Sequence, residues 1–213
     1  MTATSTRSPC SGLRRKTGQR PVCGAEVNHL AHALLADPQP PQRLGNLFGD
    51  AVRGPLSRVD LPAGVLEGVR RHRQIDAMTD RHPASIRLRE RFPRALRRYA
   101  GIVLDVAFDH YLIRRWPLFC DVDRESFTLE VYDVMHQNPA LLPEPVRLAA
   151  PRMIARDFLN RCETMDGVMS VLASIDARLS QGFDVAAAGR TLEVHDGALE
   201  YGFTEVFSDL QRP

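Results

Sequence analysis

Between Ile102 and Ile113 the chain reads Ile-Val-Leu-Asp-Val-Ala-Phe-Asp-His-Tyr-Leu-Ile, apolar on nearly every side of a helix apart from Asp105, Asp109 and His110. A helix without a polar face has to be wrapped by others, so this segment defines an interior that the rest of the chain must cover. Its two carboxylates and its imidazole are therefore expected inside the protein, where unpaired polar groups are costly and need partners. Trp116-Pro117 stops the segment.

Val69-Arg70-Arg71-His72-Arg73-Gln74-Ile75-Asp76-Ala77-Met78-Thr79-Asp80 supplies such partners. His72, Asp76 and Asp80 recur every four residues and fall one above another on a helix. Val65 and Val69 extend the same line, so the face that enters the core also carries the imidazole and the carboxylates. Asp60 is read as the N-cap of this helix, with Pro62 in its first turn and His82-Pro83 as its end.

Further helical patterns run from Val27 to the Asp37-Pro38 stop and from Arg43 to Val52, where Asp50 is the only acid among several glycines. Others cover Asp123 to Gln137, Val146 to Leu159 with a kink at Pro151, Met165 to Leu179, and Val185 to Leu210. No alternating strand pattern, hairpin dipeptide or internal repeat interrupts them. The expectation is an all-α, single-domain helical bundle over residues 27–213. Residues 1–26 carry Arg7, Arg14, Arg15, Lys16 and Arg20 with few apolar residues. They read as a disordered basic extension lacking the apolar core of a secretory signal.

A formal charge of +2 on 213 residues argues against general nucleic-acid binding, and no apolar run is long enough to span a bilayer. Cys10, Cys23, Cys120 and Cys162 form no C-x-x-C pair, which fits reduced thiols in a cytoplasm. The basic run of Arg87, Arg89, Arg91, Arg94, Arg97 and Arg98 reads either as a solvated face or as a docking surface for an acidic partner.

Gly-x-Ser-x-Gly, P-loop and Gly-x-Gly-x-x-Gly motifs are all absent. What remains is an excess of His and Asp in the first half. Asp50, His72 and Asp109 come from three helices with otherwise apolar faces and are the expected metal ligands. Asp105 is open to two readings, a buried acceptor for an arginine or a ligand; Asp80 could cap or bridge instead of serving a site. Mixed imidazole and carboxylate donors suit Mn²⁺, Fe²⁺ or Mg²⁺. Such an ion polarises phosphoryl oxygens and acidifies water, so phosphoester hydrolysis is the expected chemistry.

Four segments carry a resemblance: Asn28-His29-Leu30-Ala31-His32, Gly45-Asn46-Leu47-Phe48-Gly49-Asp50-Ala51-Val52-Arg53-Gly54, His72 to Asp80, and Leu104-Asp105-Val106-Ala107-Phe108-Asp109-His110-Tyr111-Leu112. In order and approximate spacing they resemble the bacterial acyl carrier protein phosphodiesterases, also called acyl carrier protein hydrolases. That family is regarded as a distant all-helical relative of HD-type phosphohydrolases. The resemblance covers Val27 to about Leu210 and is stronger in the first half.

It implies Mn²⁺-dependent hydrolysis of the phosphodiester joining 4′-phosphopantetheine to the serine of holo acyl carrier protein, a reaction at the edge of fatty acid biosynthesis. The products are apo carrier protein and free 4′-phosphopantetheine. The matching polar positions are His32, Asp50, His72, Arg73, Asp76, Asp80, Asp105, Asp109 and His110. With Asp50, His72 and Asp109 as metal ligands, His32 or His110 becomes a further ligand or the acid for the leaving serine. Asp76 joins the catalytic groups, and Arg73 neutralises the phosphodiester oxygens. Arg87, Arg91, Arg94, Arg97 and Arg98 are expected to dock the acidic carrier protein.

There are departures from the pattern. The first 26 residues precede the usual start, which a GTG codon read as Val27 would explain. His29 replaces an apolar aromatic, and Arg70 stands where the family can carry another His. Two other readings remain: an HD-type phosphohydrolase acting on a nucleotide or other small phosphoester, and a non-catalytic carrier-binding protein.

Overall fold

The computed structural model describes residues 28–212; the basic stretch 1–26 lies outside them. Nine α-helices occur among the described residues: α1 (His29–Leu34), α2 (Pro40–Leu47), α3 (Ala63–Arg81), α4 (Pro83–Glu90), α5 (Ala100–Arg114), α6 (Arg124–Gln137), α7 (Glu144–Ala155), α8 (Met165–Asp176) and α9 (Val185–Leu210). No strand occurs among them, so the all-α, single-domain expectation is met.

As its composition requires, α5 is enclosed, with α1, α4, α8 and α9 packed around it. Val103, Leu104, Val106, Ala107, Phe108, Tyr111 and Leu112 are all buried. Each large apolar side chain so enclosed contributes about 1.5–3 kcal/mol. The rings of Phe108 and Tyr111 meet Phe203 of α9, which also contacts Phe119 and Phe207. This aromatic core packs the C-terminal half of α5 against α9.

Local signals set most helix ends. Asp123, Thr164 and Asp184 cap α6, α8 and α9 by accepting from the backbone N–H of Ser126, Gly167 and Ala187. His82 ends α3, and its Nδ1 accepts the Ala84 N–H at the start of α4. Asp60 does not cap α3, contrary to expectation. The chain stays extended through Pro62, whose fixed φ leads directly into Ala63. The segment expected as one helix from Arg43 to Val52 is also split. The α-helix ends at Leu47, and Asp50 sits on a separate 3₁₀ turn, Gly49–Ala51.

α2 and α3 pack unusually closely. A Cβ on Gly45 would lie 2.1 Å from the Val65 carbonyl oxygen, and one on Gly68 would lie 2.1 Å from the Gln42 carbonyl oxygen. Only glycine at both positions allows this approach. It brings Asn46 and the turn at Asp50 against His72.

Candidate metal centre

His72 and Asp76, one turn apart on α3, lean towards α1 and the Gly49–Ala51 turn. The His72 Nε2 lies 3.2 Å from Asp50 Oδ1 and 3.3 Å from Asp76 Oδ2. From α1, His32 presents its Nε2 at 3.2 Å from Asp76 Oδ1. The two imidazoles stack with centroids 3.9 Å apart. Both rings are buried, at 2% and 3% exposure, whereas Asp50 and Asp76 are half-exposed and reach the surface.

Asn46 fixes how both rings are protonated. Its side-chain oxygen lies 3.1 Å from His32 Nδ1, and its backbone oxygen lies 2.7 Å from His72 Nδ1. Both oxygens only accept, so each Nδ1 carries a hydrogen and each neutral ring turns the lone pair of Nε2 towards the carboxylates. The Asn46 amide donates in turn to the His32 carbonyl at 3.0 Å. A Cβ on Gly49 would lie 2.4 Å from His72 Cγ, so glycine there lets the Asp50 turn close over the ring.

The arrangement is electrostatically incomplete. His72 Nε2 is buried without an aligned hydrogen bond, despite its short approaches to two carboxylates. Burial opposes charging of this imidazole, but Asp50 and Asp76 outweigh it and hold its pKa above the ordinary value. Burial depresses that of His32 despite Asp76. For Asp50, burial is outweighed by His72 and His32, which keep the carboxyl below the usual range.

His32, Asp50 and Asp76 open into a cleft of about 240 Å³ that Asn28, Thr79, Asp80, Ile102 and Asp105 also line, with His72 packed behind them. Four carboxylates share the cleft and no arginine lines it; Arg89 approaches only through its ion pair with Asp80. Burial, followed by repulsion from Asp76 and Asp80, pushes Asp105 up to about 7. Asn28 Oδ1 is a second buried acceptor without a partner. Orphaned acceptors in a carboxylate-rich cleft fit a bound cation, with His32, His72 and Asp76 converging within 4.8 Å of one another and Asp50 adjoining through His72.

Several expected site residues lie elsewhere. Asp109 does not join the converging donors. Its two oxygens accept the Leu30 and Ala31 N–H at 3.2 and 3.0 Å, capping α1 from a distance in place of Asn28. Burial raises its pKa to about 6 against those bonds. The acid of α5 that faces the cleft is Asp105, one turn earlier. His110 does not line the cleft: its Nδ1 lies 2.8 Å from the Cys162 carbonyl oxygen, and its ring meets Tyr111 edge-on. Arg73 faces away from the cleft, with its Nη2 donating to the Val52 and Gly54 carbonyls at 2.9 and 3.0 Å. It therefore pins the loop that carries Asp50. His29 packs edge-on against Phe48 and Phe158, a role suited to the aromatic expected there.

In the basic run, Arg87 pairs with Glu205, Arg97 donates to the Phe92 carbonyl, and Arg98 binds Gln181 while lying over Tyr99. Arg91 and Arg94 are exposed. Asn46 escaped notice in the sequence because a neutral amide carries no charge signal, although it lies within the segment Gly45 to Gly54.

The family model described as acyl carrier protein phosphodiesterase matches residues 27–210. Among similar proteins, the acyl carrier protein phosphodiesterase of Escherichia coli O45:K1 (strain S88 / ExPEC) is 33% identical over 189 residues, covering 85% of this chain and 94% of the relative. The protein of that name from Salmonella agona (strain SL483) is 33% identical over 186 residues, covering 83% and 92%. The one from Shigella boydii serotype 18 is 32% identical over 189 residues, covering 85% and 94%. No solved structure matches the chain.

Proposed function

Because the chain belongs to the acyl carrier protein phosphodiesterase family, we propose that its cleft hydrolyses the phosphodiester between 4′-phosphopantetheine and the serine of holo acyl carrier protein. The relatives' shared name supports the substrate, and the orphaned His72 Nε2 among Asp50, Asp76 and His32 is the observation that carries the chemistry. His32, His72, Asp76 and Asp50 would hold a divalent cation, with Mn²⁺, Fe²⁺ and Mg²⁺ all compatible with this mixture of donors. Such a cation supplies positive charge that polarises a phosphoryl oxygen and acidifies water.

The remaining chemistry belongs to the protein. Asn46 holds both imidazoles in the tautomer that frees Nε2. Arg73 and Gly49 set the position of Asp50. Asp80 is tied to Arg89, which leaves Asp105 on the cleft wall to exchange protons with the attacking water and the departing serine oxygen. With no arginine lining the cleft, neutralisation of the phosphodiester falls to the cation and not to Arg73.

The test is the intact mass of holo carrier protein after incubation with and without Mn²⁺, with Asp76→Ala as control. Loss of the phosphopantetheine mass that requires both metal and Asp76 is the expected result. An unchanged mass alongside turnover of a small phosphodiester would move the activity to a small-molecule substrate.

A further inference from the structure

A second groove, of about 530 Å³, lies between α7 and α8. Arg152 and Arg156, one turn apart, form one wall, while Ser170, Ser174 and Arg178 follow one another at four-residue spacing along the other. Arg161, from the loop before α8, completes the rim. No carboxylate lines the groove. Arg152, Arg156 and Arg161 make no hydrogen bond or ion pair among the described residues. Arg43, Arg114 and Arg124 are instead each held by a glutamate. The charges of Arg152, Arg156 and Arg161 are thus left open to a ligand, whereas Arg87, Arg97 and Arg98 are largely committed within the molecule.

The groove and the cleft share a wall. His29 lines the groove and Asn28 lines the cleft, and neighbouring Cα atoms are only about 3.8 Å apart. A macromolecule seated in the groove can therefore deliver a flexible arm to the cleft.

We infer that this groove docks the acidic face of the protein that carries the phosphodiester, accepting carboxylates spaced about one helical turn apart. The inference rests on the function proposed above. Met153, Phe158 and Val171 give the groove an apolar component that suits a protein surface. The formal charge of +2 gives the chain no broad field for a nucleic-acid backbone.

The experiment compares the wild-type chain with Arg152→Glu/Arg156→Glu/Arg161→Glu and with the milder triple Arg→Gln variant, all loaded with Mn²⁺. KM and kcat are measured for holo carrier protein and for bis(p-nitrophenyl) phosphate, and carrier-protein binding is measured by calorimetry at two salt concentrations. The expected result is a KM for carrier protein raised about tenfold or more, with kcat and small-diester turnover retained and a weaker salt dependence. The Gln variant should show a smaller rise in the same direction. An unchanged KM for carrier protein, or tighter wild-type binding of an RNA oligomer than of carrier protein, overturns the inference. Failure of the proposed reaction looks different: wild-type protein would bind carrier protein without releasing its prosthetic group, and the Glu variant would lose that binding.

Discussion

α3 and α5 each bury a histidine close in sequence to an aspartate, and the two pairs do different things. On α3, His72 and Asp76 point their free atoms at one another and at Asp50, leaving a buried lone pair unsatisfied. On α5, Asp109 and His110 are bonded to backbone, the first to the N–H groups that start α1 and the second, through Nδ1, to the Cys162 carbonyl. The same residue types thus converge as a cluster of candidate metal donors where they also face other titratable side chains, and fasten the fold where the bonds they make are to peptide groups alone. Partner identity, more than burial, separates the two.

The sharpest separation should come from removing one residue of each pair. His72→Ala or Asp76→Ala should lower kcat/KM for carrier protein by about 10³-fold, the scale for losing a main electrostatic element of a site. In the absence of metal, Asp76→Ala should change thermal stability little, and His72→Ala should lose about 1 kcal/mol with its bond to the Asn46 carbonyl. Asp109→Ala should do the reverse, destabilising the fold by about 2–3 kcal/mol in denaturant titrations because two buried N–H groups lose their acceptor. Its folded fraction should retain full activity. Large activity loss in folded Asp109→Ala would erase the distinction.

Asn46→Ala sharpens the comparison at the level of ring orientation. It removes the acceptor for His32 Nδ1 and should weaken Mn²⁺ binding about 10- to 100-fold, as measured by equilibrium dialysis. A smaller effect is expected from pH. In the absence of a cation, Asp50 and Asp76 hold the pKa of His72 above its ordinary value despite burial, and Asp105 titrates at about 7. His72 must shed its proton to ligate and Asp105, beside the site, favours the cation once ionised, so affinity should rise with pH through about 7 and level off only above the raised pKa of His72. The slope is about tenfold per pH unit for each proton released, and calorimetry in buffers of different ionisation enthalpy would count the protons. Smallest of all, His110→Ala should cost about 1 kcal/mol of stability, the value of one hydrogen bond, with no change in KM or metal affinity.

Much of this architecture was legible in the sequence. The enclosed helix at Ile102–Ile113, the stop at His82-Pro83 and the long run from Val185 to Leu210 follow from periodicity, capping and proline chemistry. The stripe through His72, Asp76 and Asp80 lies along α3, where Asp76 and Asp80 line the cleft. The choice between Asp105 and Asp109 was not legible, because residues four apart lie on the same side of a helix. Only the packing of α1 across α5 decides which carboxylate meets backbone N–H groups and which meets the cleft. The groove at Arg152, Arg156 and Arg161 was hidden for a related reason. Its charges come from α7 and the loop before α8, so no dense run marks them, whereas the conspicuous run at Arg87–Arg98 is partly consumed by internal contacts.

The most direct measurement is Mn²⁺ binding to the purified chain, followed by electron paramagnetic resonance, in wild type, Asp76→Ala and Asp109→Asn. The α3-centred site predicts that wild type and Asp109→Asn take up the ion with similar affinity while Asp76→Ala does not. Retained binding in Asp76→Ala together with loss in Asp109→Asn would contradict it and place the metal on α5.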